Sequence, residues 1–151
     1  MGSRHHGTET EQLALKSYIK LQRAADTVAA SAHKHLHQTA LSSSQFGVLE
    51  CLYHLGPLCQ RDIGHKILKS SGNISTVIDN LEKNGYVVRE RSTEDRRYIQ
   101  VDLTPSGRAL IARLFPIHAA EIVKHMATLT PREQLQLSRL CKKLGIPHTD
   151  W

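Results

Sequence analysis

Residues Ser71–Leu103 read SGNISTVIDNLEKNGYVVRERSTEDRRYIQVDL, and a change of period inside this stretch decides the fold. Up to Lys83, the apolar residues Ile74, Val77, Ile78 and Leu81 recur at helical spacing. Asn73, Thr76, Asn80 and Lys83 step by 3, 4 and 3 along the opposite face. Asn84-Gly85 is a helix stop signal. Beyond it the period drops to two. Tyr86–Arg91 is predicted as one strand, and Tyr98–Leu103 as a second with Ile99, Val101 and Leu103 on one face. Between them, Ser92-Thr93-Glu94-Asp95-Arg96-Arg97 forms a polar hairpin tip.

Upstream, Ser42-Ser43-Ser44-Gln45 is a capping box opening a helix through Phe46, Leu49, Leu52 and Tyr53, which Gly56-Pro57 ends. A short helix is expected from about Gln60 to Leu68, with Ile63, Ile67 and Leu68 inward and Ser70-Ser71-Gly72 as the turn. Three short helices and a hairpin outline a winged helix-turn-helix. The flanks are helical. Ala14, Tyr18, Leu21, Ala25, Val28, Ala32 and Leu36 make one stripe of a helix spanning Glu11–His37, with Leu13, Leu15 and Ile19 apolar outside it. An apolar surface on two sides calls for a second chain. Thr104-Pro105 starts another helix, which holds Ile111, Leu114, Ile122, Met126 and Leu129 and which Pro116 should kink or break. Thr130-Pro131-Arg132-Glu133 opens a last one, closed by Gly145 and Pro147.

Composition sets the bounds. The chain has 151 residues, 40% hydrophobic and 23% charged, enough apolar mass for one core. No run is long enough to span a membrane, and Met1–Gly7 lacks the apolar segment of a secretory signal. Three cysteines, an odd count, argue against a disulfide framework and for a reducing cytoplasm. The net charge of +6 points only weakly to a polyanion. Arg89, Arg91, Arg96 and Arg97 face Glu90, Glu94 and Asp95, so the hairpin is nearly neutral and its geometry must carry any recognition. A fork-shaped guanidinium held extended by a nearby Asp suits a narrow minor groove. A solvated turn is the alternative for the hairpin, and a solvated amphipathic face for the 71–83 helix.

The run Asp95-Arg96-Arg97-Tyr98-Ile99-Gln100-Val101-Asp102-Leu103-Thr104, followed by Gly107, closely resembles the wing signature of the MarR family, and Asn73–Tyr86 resembles its recognition helix. The resemblance covers nearly the whole chain. It implies a mostly α fold with a small two- or three-stranded antiparallel β-wing. Residues 1–40 would form an N-terminal dimerisation helix, 41–104 the DNA-binding region, and 105–151 the C-terminal dimerisation helices. It further implies a homodimer on a pseudo-palindromic double-stranded operator. Carried over by position, Arg97 becomes the minor-groove finger, Asp95 its positioning partner, and Arg91 and Arg96 phosphate or groove contacts. Ser71, Asn73, Ser75, Thr76 and Asn80 become major-groove candidates, with Gln60, Arg61 and Lys83 along the backbone.

Regulators of this family commonly release DNA when a small aromatic or phenolic ligand binds between the dimer helices and the winged domain. Arg23, His37, Phe46 and His118 are the pocket candidates, His118 as a polar handle in an apolar site. Cys59, where Ser or Thr would normally cap the short helix, is the candidate for a redox response, whereas Cys51 and Cys141 read as packing residues. His33 with His37, and His118, Glu121 and His125, have helical chelate spacing but match no closed metal site, and no cofactor is called for. A helical protein-interaction module without DNA binding is the rival from another class, distinguished by the steep salt dependence of DNA binding. An enzyme pairing Cys59 with His54 or His65 is disfavoured, because nothing orients a base onto the sulfur.

Overall fold

The computed structural model describes residues 5–67 and 74–145. Ser71 and Asn73 of the expected reading helix, Leu68, the 70–72 turn and Pro147 lie outside them.

Helix α1 spans Glu9–Ala32 behind a capping box in which the Thr8 hydroxyl accepts from Glu11 N–H. The expected continuation to His37 does not occur. The chain tightens instead into a 3-10 turn over Lys34–Gln38. The Leu36 N–H donates to His33 O (3.0 Å), while Ala32 O, its α-helical acceptor, lies within hydrogen-bonding distance of the His35 and His118 Nδ1 atoms. Two imidazoles thus take the carbonyl that would have extended the helix. Leu36 is still buried.

Helix α2 (Ser43–Leu55) has the expected Ser42/Gln45 box and ends at Gly56, whose φ of 79° is readily open only to glycine. Strand β1 (Leu58–Cys59) leads directly into α3 (Gln60–Lys66), and α4 covers Ile74–Lys83. Gly85 N–H donates to Glu82 O and Tyr86 N–H to Leu81 O, a Schellman closure with Gly85 at φ 75°. Strands β2 (Val87–Arg91) and β3 (Ile99–Leu103) pair antiparallel, Arg89 opposite Val101, and β1 joins on the far side of β3, giving the order β1-β3-β2.

Helix α5 (Pro105–Met126) runs through Pro116 without a break. The carbonyl that loses its donor is that of Ala112, and both Ala112 and Pro116 are exposed, while Ile111, Leu114 and His118 anchor the buried face on either side. Helix α6 (Pro131–Leu144) opens with the expected Thr130/Glu133 box. The core lies in the winged region: Phe46, Val48, Leu49, Leu52, Ile63, Ile78, Leu81, Val87, Val101 and Ile111 are essentially inaccessible. Ile74 and Val77 pack on its edge, and Ile99 is exposed toward the wing tip. The terminal helices are the opposite case. Leu13 and Tyr18 on α1, and Leu135, Leu137, Leu140 and Leu144 on α6, are exposed in the single chain, and α6 buries no residue at all.

Candidate nucleic-acid interface

Helix α4 buries Ile78 and Leu81 against the core, which leaves Ser75, Thr76, Asn80 and Lys83 exposed on its outer surface. Small polar side chains on a helix that is anchored from behind can approach base edges and phosphates without steric bulk. Arg61 is exposed at the start of α3, with Asp62 3.9 Å from its Nε.

The wing tip is built by short-range bonds. Ser92 is buried, and its hydroxyl accepts from the N–H groups of Glu94 (3.3 Å) and Asp95 (3.4 Å). Ser92 N–H donates to Tyr98 O, and Tyr98 N–H to Asp95 O. On this frame Asp95 accepts from the Arg97 backbone N–H (3.0 Å), from Nε (3.1 Å) and from Nη2 (2.8 Å). The Arg97 guanidinium, and then its backbone N–H, hold the Asp95 carboxyl below the usual carboxylate range. The Arg97 side chain is nevertheless 86% exposed. It is oriented yet open to a partner. Arg96 is exposed, and Arg91 Nη1 donates to Arg96 O at 3.4 Å.

Arg89 has a different part from its neighbours. Its Nη1 donates to Glu82 Oε2 and its Nη2 to Asp79 Oδ1, both at 2.6 Å, and its backbone N–H reaches Glu82 Oε1 at 3.1 Å. Nη2 also lies 3.4 Å from Gln60 Oε1, so this backbone-contact candidate faces an internal partner. Desolvation works against the Arg89 charge, but the hydrogen bonds to Asp79 and Glu82 outweigh it and raise the pKa. In the sequence Arg89 stands only as one of the wing's charges. The available signal was a pair of carboxylates, Asp79 and Glu82, one turn apart on a helix expected to face a polyanion.

A second constellation joins the end of α1 to the core. His118 is 5% exposed; its ring lies 4.7 Å from that of Phe46, is stacked on His33 at 5.6 Å, and has Nε2 3.9 Å from Glu50 Oε1. Phe46 and His118 therefore meet, whereas Arg23 and His37 are exposed elsewhere. Beside this cluster a cavity of about 370 Å³ is lined by His33, Ser44, Gly47, Glu50, His54 and Lys66, among others. Cys51 also lines it, with its thiol pushed up by burial. Cys59 is the N-cap of α3, half-buried and making no side-chain cap bond. Cys141, expected to pack, is exposed on α6, where the single chain offers no cover. Among the described residues, no three His, Cys, Asp or Glu side chains are grouped so as to hold a metal ion, and no helix is long and apolar enough to cross a membrane.

Residues 41–99 match the MarR family. Two regulators of Bacillus subtilis (strain 168) resemble the chain over most of its length. The HTH-type transcriptional regulator YkoM is 37% identical over 91% of this chain and 90% of its own. The HTH-type transcriptional regulator MhqR is 37% identical over 88% and 92%. Among solved structures, Bordetella bronchiseptica BpsR, whose DNA binding is regulated by 6-hydroxynicotinic acid, superposes with a TM-score of 0.73 at 25% identity, covering 99% of this chain and 100% of its own. With its three-stranded wing, helical flanks and relatives that are regulators and not enzymes, the chain belongs to the MarR family of winged helix-turn-helix transcriptional regulators.

Proposed function

We propose that the protein is a homodimeric repressor that reads a pseudo-palindromic operator, with α4 in the major groove and Arg97 in the minor groove, and that a small aromatic ligand releases it. The observation that carries this reading is the wing tip, where Asp95 orients an Arg97 side chain that stays 86% exposed. Ser75, Thr76 and Asn80 supply base-edge contacts, Arg91, Arg96, Arg61 and Lys83 supply phosphate or groove contacts, and Gln60 supports them from behind. The uncovered leucines of α1 and α6 support pairing of residues 1–40 and 105–151 with a second copy, around a DNA-binding region at 41–104. Ligand response is supported by the cavity beside His33 and Glu50 and by the regulation of BpsR by a hydroxylated aromatic acid.

The test is selection of a binding site from random duplexes, followed by footprinting. The expected site has two half-sites roughly 10 bp apart. A single asymmetric half-site, or no enriched sequence, overturns the reading. Titrating the bound complex with 6-hydroxynicotinic acid and simple phenols then tests release.

A further inference from the structure

We propose that Arg89 sets the sequence specificity of this protein by locking the recognition helix to the wing. This rests on the reading above, in which α4 and the wing contact one duplex. Arg89 belongs to β2, whereas its two carboxylate partners, Asp79 and Glu82, belong to α4, and Gln60 begins α3. One guanidinium therefore spans three elements, with its two arms on different carboxylates at 2.6 Å each and its own backbone N–H on Glu82 as well. The Arg89 side chain is 23% exposed, whereas Asp79 and Glu82 are 61% and 40% exposed, so the covered guanidinium is the fixed end of the pairs and the carboxylates reach to it from the surface of α4. A forked cation can hold two carboxylates in a fixed relative position; the compact ammonium of a lysine cannot.

Two consequences follow for DNA reading. Helix α4 is fixed in rotation and tilt against the same hairpin that carries Arg97, so helix and wing-tip contacts are presented in one register. In addition, Asp79 and Glu82, which would repel phosphates from the reading face, are turned to an internal cation. Arg89 is thus a positioning residue acting through α4, and its removal should harm discrimination more than general affinity for DNA.

The experiment uses the full-length protein with two probes: a duplex selected in vitro by the wild type, and a scrambled duplex of the same composition. Wild type must first prefer the selected duplex; if it does not, the DNA-reading proposal fails before Arg89 is tested. In the variant combining Arg89→Met, Asp79→Asn and Glu82→Gln, one positive and two negative charges are gone, so repulsion cannot explain a loss. Its affinity for the scrambled duplex is expected to equal or exceed that of wild type, while its preference for the selected duplex falls by about tenfold or more. Arg89→Lys is expected to fall between the two. A wild-type preference in either variant, with wild type itself discriminating, overturns the assignment. If loss of Arg89 prevents folding, as judged by circular dichroism, Asp79→Asn with Glu82→Gln in a chain retaining Arg89 gives the same test. Tighter binding to scrambled DNA with reduced preference supports the lock, and an unchanged preference refutes it.

Discussion

Asp95 grips Arg97 by both backbone and side chain, taking the N–H at 3.0 Å and the guanidinium Nη2 at 2.8 Å. The backbone bond shapes the turn, and the side-chain bonds aim the guanidinium. Replacing Arg97 by Ala removes only an exposed group, so the melting temperature should stay where it is. Operator affinity should fall about tenfold or more, as for loss of a groove-reading arginine. Asp95→Ala leaves the charge but frees its direction, and a smaller loss is expected. An unchanged band-shift titration for Arg97→Ala at physiological salt would falsify the minor-groove assignment.

Gly107 marks where the wing meets α5. A Cβ placed there would overlap the Tyr86 carbonyl and lie 2.8 Å from its carbon. The neighbouring bonds leave little room for adjustment, since Tyr86 O accepts from Thr104 N–H (3.1 Å) and the Thr104 hydroxyl donates to Gly85 O (2.6 Å). Gly107→Ala should cost about 2–3 kcal/mol, toward the upper end for an overpacked site. Urea unfolding monitored by circular dichroism provides the check, and a midpoint equal to wild type would remove the close approach as an explanation for this glycine.

Features with local causes were legible in the sequence. The boxes at Ser42/Gln45 and Thr130/Glu133, the stop at Gly85 and the turn holding Asp95 to Arg97 each depend on residues a few positions apart. Features that need chain crossings were not. Arg89 finds its partners 7 and 10 residues away on another element, which a count of wing charges cannot reveal. The end of α1 is set by two imidazoles on the Ala32 carbonyl, and one of them, His118, lies 86 residues away, so a regular apolar stripe runs past the true boundary. Of the two outcomes expected of Pro116, the break does not occur, because the lost hydrogen bond falls on an exposed stretch of α5.

Cys59 has the extended backbone of an N-cap, φ −70° and ψ 153°, but no side-chain bond to the first turn of α3. Serine is nearly isosteric and accepts hydrogen bonds far better than a thiol. Cys59→Ser should therefore stabilise the protein by about 0.5–1 kcal/mol through the added cap. A denaturation midpoint at or below wild type would show that the thiol contributes through packing instead. The same variant also tests oxidation: if peroxide releases wild type from DNA, the variant should stay bound.

Leu140 is 56% exposed and Leu144 74% exposed on a helix that buries nothing within its own chain. A charge placed among such residues is tolerated if the surface is solvated and disruptive if a second copy covers it. Leu140→Glu should shift the protein from dimer to monomer in sedimentation experiments, and operator binding should weaken with it. A variant that sediments like wild type removes α6 from the dimer core.

His35 gives the chain a sensitivity to acid with a definite sign. Its Nδ1 donates to Ala32 O at 2.9 Å, while its Nε2 is buried without a partner. A proton arriving at Nε2 would thus sit in a place that offers no acceptor. Burial, the largest influence, lowers the His35 pKa from 6.5; the Ala32 bond opposes it, nearby His118 adds to it and Glu121 opposes it. The His118 ring lies 5.4 Å from that of His35, with His33 stacked on His118 and Glu50 Oε1 3.9 Å from His118 Nε2, and these are the other titratable groups at the joint. Because the folded state holds the neutral ring more firmly than the unfolded chain does, the contribution of His35 is fully present above about pH 6.5 and declines as the pH falls below it. The affected joint connects the end of α1 to α5, so acid should loosen the terminal helix from the winged core before the core itself unfolds. Thermal melts between pH 7.5 and 5 should show stability level down to about pH 6.5 and falling below it, and His35→Gln, which cannot take up the proton, should flatten that fall. Equal slopes for wild type and variant would assign the acid sensitivity to other groups.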